Sequence, residues 1–175
     1  MSQDTMDLLK VMAATLLVFM ASTLVMLYAI YLLAQYGANL PMVGALPLNA
    51  PPEMVPLLAR NGVFATLAAV HVTATGLALL VASTTIDMAL LITAKAVTVV
   101  ITALLGFAGG HMVYLQLTEN TALNLSPLTP ALVALAGFFI LSTLLSVPQL
   151  RRLGGIRFVI GIALAVLGPL LLLWL

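Results

Sequence analysis

The sequence predicts an all-α integral membrane protein: a bundle of five transmembrane helices with short loops and one proline-rich external connector. Three observations carry this. Of the 175 residues, 63% are hydrophobic and 6% charged, against roughly 45–50% and about 25% in soluble globular domains. Mean hydropathy is +1.25. The six Lys and Arg and five Asp and Glu cannot coat a compact soluble fold, while so apolar a chain is the opposite of a disordered one. No segment is long and polar enough for a soluble second domain, so residues 1–175 are read as a single transmembrane domain.

The spans follow in order. A hydrocarbon layer of ~30 Å takes about 20 apolar helical residues. Residues 11–34 are uncharged, and at ~1.5 Å per residue they reach roughly 36 Å, enough to span with tilt. A cleaved signal peptide would start basic and carry a short apolar core; here Asp4 and Asp7 precede Lys10 and the apolar run is long. The connector at 35–60 contains Pro41, Pro47, Pro51, Pro52 and Pro56, and no continuous helix survives that spacing. It is nonetheless greasy, with Leu40, Val43, Met54 and Leu57 among its side chains. Such a surface calls for cover, and Met54 and Leu57 are the expected contacts to a partner subunit.

Span two covers 62–82, and a tight turn at 83–87 brings span three back antiparallel beside it. Span three, at 88–117, would be roughly 45 Å of helix, so it must tilt, kink near Gly109 and Gly110, or protrude. A polar turn leads to span four at 128–147, stopped by Pro148. A short stretch with Arg151 and Arg152 precedes span five at 156–175. Basic residues flank spans on the cytoplasmic side. Placing Lys10, Arg151, Arg152 and Arg157 there leaves Arg60 outside, which makes the amino terminus cytoplasmic and the carboxyl terminus external. Trp174 then falls at the outer interface, where an indole is favoured.

Several functions are disfavoured by what the sequence lacks. A net charge of +1 without a basic cluster argues against nucleic acid. The chain has no cysteine, hence no disulfide, thiolate metal site or Cys nucleophile. No internal repeat marks the halves of a secondary transporter, and no metal site or nucleophile–base pair is visible.

Two histidines remain. His71 lies near the middle of span two, where a polar residue is costly and signals function by default. Ala68, Ala74 and Thr75 flank it on the helix and leave room for a flat ligand or a close neighbouring helix. His111 follows Gly106–Gly110 in span three. Imidazole is a standard axial haem ligand, so His71 and His111 are candidate ligands to a haem b. Their depths conflict: about 15 and 9 Å counted from the outer ends, but roughly 18 Å apart counted from the turn at Thr85. A site with one histidine, completed by a partner, is the equal alternative. Gly106 and Gly110 form a small-xxx-small pair suited to close helix packing. Lys95 can snorkel, and Asp87 lies too far around the helix to pair with it.

The expected function is an accessory or structural subunit of a larger membrane complex, a respiratory or other redox complex being the candidate class. It would have no catalytic activity of its own and would bind other integral subunits and lipid. A small b-type cytochrome or quinol-interacting subunit is the alternative, and a small transporter or channel the second alternative.

Overall fold

The structure is a computed structural model that describes residues 3–36, 61–81, 83–119, 122 and 124–174, without the side chains of Ala34, Asn61 and residues 171–174. The proline-rich connector with Met54 and Leu57, and the Trp174 side chain, lie outside the described residues.

Six α-helices are described: α1 Gln3–Tyr36, α2 Asn61–Leu80, α3 Thr84–Glu119, α4 Thr129–Thr143, the short α5 Val147–Arg151, and α6 Ile156–Trp174. A 3₁₀ turn, Ser126–Leu128, precedes α4. Among the described residues, four helical segments are long and apolar enough to cross a membrane: Gln3–Leu33, Gly62–Leu80, Thr84–Glu119 and Ser126–Thr143. The apolar helix Ile156–Leu170 is shorter. The chain is therefore an all-α, multi-span helix bundle.

The helix ends differ from the sequence expectation for local reasons. The Ser83 hydroxyl accepts the Ile86 N–H at 3.4 Å, so α3 starts at Thr84 rather than at 88; serine is a preferred helix N-cap. At its other end α3 continues unbroken through Gly109 and Gly110 to Glu119. Span four was expected to run to 147 and stop at Pro148. Instead α4 ends at Thr143, and Ser146, with extended backbone at ψ 144°, resets the chain direction. Pro148 then sits in the first turn of α5, where its missing N–H costs nothing. The proline starts a helix here and ends none.

Two helix pairs organise the bundle. α1 packs most extensively on α3, and α2 on α6. Gly106 of α3 faces Leu16, Phe19 and Met20, and Gly110 faces Met20 and Thr23, so α1 and α3 run parallel. Phe19 also meets Phe107 edge-on, with ring centroids 4.8 Å apart. Gly76 of α2 faces Gly161 and Ala165, while Ala69 and Thr73 face Gly168, so α2 and α6 run antiparallel. α4 joins the pairs through a core of Phe64, Ile101, Leu105, Ala108, Met112, Ala131 and Phe138.

Close glycine contacts carry both pairs. Lipid tails are as apolar as leucine, so helices in a membrane associate through packing and hydrogen bonds rather than through hydrophobic exclusion. The buried Thr98 and Thr102 hydroxyls donate to the Ala94 and Thr98 carbonyls, each at 2.8 Å. Thr23 donates to the Phe19 carbonyl at 2.7 Å. This is the back-bonding that satisfies hydroxyls inside helices.

Candidate functional site

His71 sits on α2 at 7% exposure. Its imidazole packs against the Phe138 ring of α4, with centroids 5.5 Å apart and planes inclined at 57°. The small residues around it in sequence divide between two tasks. Ala69, Thr73 and Gly76 receive α6, and Ala65 and Ala68 line an open groove between α2, α4 and α6. The groove has a volume of about 610 Å³ and is walled by Phe64, Val72, Val133, Leu141, Leu164 and Leu167 among others. His71 is one residue from Val72 but does not itself line the groove.

His111 is 6% exposed, and its Nδ1 has no hydrogen-bond partner among the described residues. Leaving such a nitrogen unpaired costs about 1–3 kcal/mol. The structure does not bring the two histidines together. His71 lies nine residues before the end of α2 and His111 lies 27 residues past the start of α3. No hydrogen bond or ring contact joins them among the described residues. Among the described residues, no group of three or more His, Cys, Asp or Glu is placed to hold a metal ion.

Gly106 and Gly110 lie in close helix contact, and the partner is α1. A second glycine contact was missed. Gly161, Ala165 and Gly168 recur at spacings of four and three on α6, and Ala69, Thr73 and Gly76 do so on α2. That small-residue periodicity was a readable sign of a packed face.

The other missed feature is an ion pair. Arg151 of α5 grips Asp87 of α3 with both arms: Nε bonds Oδ2, and an Nη donates to Oδ1 at 2.8 Å. The same Nη donates to the Ala78 carbonyl at 3.0 Å and the Val81 carbonyl at 2.6 Å. The last carbonyls of a helix have no intrahelical donor, so one guanidinium caps α2 and anchors the start of α3. Hydrogen bonding to Asp87 raises the Arg151 pKa above its ordinary value. Nothing in the local sequence signals it, because the two residues are 64 apart.

Fold and site together define a multi-pass α-helical integral membrane protein, held among the described residues by glycine-mediated helix pairs and the partly buried Asp87–Arg151 ion pair. Comparisons with protein-family models, curated proteins and solved structures find no match to this chain.

Proposed function

We propose that this chain is a non-catalytic, five-span accessory subunit of a larger membrane complex, with α6 as the fifth span. The observation that carries the reading is Gly137. Where Gly76, Gly106, Gly110, Gly161 and Gly168 each meet a neighbouring helix, an added Cβ at Gly137 would meet nothing within 4 Å among the described residues. Gly137 lines the groove between α2, α4 and α6 together with Ala65, Ala68 and Ala134. Small residues on a membrane-facing groove admit the backbone of another helix, and a transmembrane helix of a partner subunit fits that surface. A respiratory or other redox complex is the class in which we place it.

The test is the mass of the native particle in mild detergent. The expected result is an assembly heavier than the 18.3 kDa chain, from which Gly137→Leu releases the protein with its helix content unchanged. A wild-type chain that runs alone with lipid overturns the reading.

The orphaned His111 Nδ1 favours a second reading, a haem- or quinol-binding subunit whose site is completed by a partner. A Soret band in the intact complex that is lost in His111→Ala supports it, and a complex without visible absorbance excludes the haem.

For topology we retain the amino terminus on the cytoplasmic side. The support is the gathering of Lys10, Arg151, Arg152 and Arg157 at one end of the bundle, as the positive-inside rule requires. The chain has no native cysteine, so single cysteines report cleanly. An impermeant thiol reagent added outside is expected to label a Cys at the exposed Asn124 and to spare one at the exposed Gln149. The reverse pattern inverts the orientation.

A further inference from the structure

A smaller cavity, of about 170 Å³, lies at the basic end of the bundle where the start of α1, the first third of α3 and the α4–α5 turn meet. Neither histidine lines it. Asp4 comes from α1, Lys95 from α3, and Ser146, Gln149 and Arg152 from in and around α5. Lys95 is thus not deep in the bundle: α1 and α3 run parallel in a register that sets it level with the first turns of α1.

The donors can be accounted for one by one. Ser142 and Thr143 also line the cavity, but their hydroxyls already donate to the Phe139 carbonyl, at 3.0 and 2.7 Å. The side chains of Lys95 and Arg152 form no ion pair or hydrogen bond among the described residues, whereas that of Arg151 beside them is committed to Asp87. Thr5 also lines the cavity and already has a partner of its own, so the ammonium, the guanidinium, the Ser146 hydroxyl and the Gln149 amide are the side-chain donors left to a ligand. Two cations and the Asp4 carboxylate leave one net positive charge, which a phosphodiester with its single negative charge balances. Inorganic phosphate, close to a dianion, would overcompensate.

The cavity also opens beside grease. Ile92 and Leu144, each next in sequence to a lining residue, are 60% and 69% exposed and offer acyl chains a surface. We propose that this cavity binds the phosphodiester headgroup of an anionic glycerophospholipid, with Lys95 and Arg152 on the phosphate oxygens. Arginine and lysine are the usual partners of such groups.

The experiment is native mass spectrometry of the full chain, delipidated in detergent and titrated with four probes: phosphatidylglycerol, phosphatidylcholine, diacylglycerol and inorganic phosphate. Phosphatidylglycerol is expected to bind, and the other three to bind at least about tenfold more weakly, the loss of one hydrogen bond to a charged group. Lys95→Gln and Arg152→Gln should each weaken phosphatidylglycerol by a similar factor. Lys10→Gln, whose ammonium faces Asp7 at 3.5 Å outside the cavity, should not. Asp4→Asn, which removes the one opposing charge, should tighten binding and serves if a cavity variant fails to fold. Unchanged lipid binding in Lys95→Gln and Arg152→Gln overturns the proposal, as does equal binding of diacylglycerol or phosphatidylcholine. Displacement of the lipid by an equal concentration of inorganic phosphate would make this a free-anion site instead.

Discussion

Replacing Asp87 or Arg151 with alanine is expected to destabilise the bundle by about 1.5–3 kcal/mol, the worth of a hydrogen bond to a charged group. The Asp87 side chain is 6% exposed and that of Arg151 17%, so the carboxylate is the charge that loses most when its partner is removed. Loss of Arg151 does more than strand a carboxylate, because it also frees the Ala78 and Val81 carbonyls that cap α2. Arg151→Lys should recover only part of the loss: an ammonium carries the charge but not the planar fork that meets both carboxylate oxygens and the helix end at once. The double variant Asp87→Leu with Arg151→Met is expected to be more stable than either single alanine variant, since no buried charge is left unpaired. Denaturant or thermal unfolding in detergent, followed by circular dichroism, gives all four numbers. Additive losses in the double variant would show that the two residues act separately.

Gly76→Val is expected to separate α6 from α2. A Cβ at Gly76 would fall 2.6 Å from the Gly161 carbonyl and against the Ala165 backbone nitrogen. Backbone atoms cannot rotate away, so the helices must part. Overpacking costs about 1–3 kcal/mol where side chains can shift, and this site belongs at the upper end of that range. Gly168→Ala should behave alike, because its Cβ would lie 2.7 Å from the Ala69 carbonyl and collide with the Thr73 hydroxyl. Gly155→Ala, with nothing within 4 Å, is the control and should change stability little. Spin labels on the exposed Leu77 and Ile162 would report the α2–α6 distance. An unchanged distance in Gly76→Val would mean that the helices are held by something other than this contact.

The helices of the bundle were legible in the sequence because a bilayer imposes a length on any apolar helix and forces its backbone to bond internally. That constraint is local, so windows of apolar residues located α1 to α4 and the apolar stretch of α6. It did not locate the ends, which depend on particular contacts such as the Ser83 hydroxyl on Ile86 N–H. The packing role of Gly106 and Gly110 was also legible, since small residues at that spacing serve close approach wherever they occur.

What faces those glycines was decided by the tertiary structure. Parallel α1 and α3 and antiparallel α2 and α6 follow from which small faces meet, and a lipid-like exterior gives single helices no preference among neighbours. The same limit applies to charge. Asp87 and Arg151 each read as a lone polar residue beside a span, and only the fold-back of α5 against the end of α2 turns them into a pair. Lys95 and Arg152, distant in sequence, likewise come to line one cavity only because α1, α3 and α5 meet there. Sequence alone set the membrane class and the helices, through the bilayer's demands on each segment separately. Pairing, capping and the polar cavity came from the tertiary structure, because each needs groups from two or more helices and no local rule brings them together.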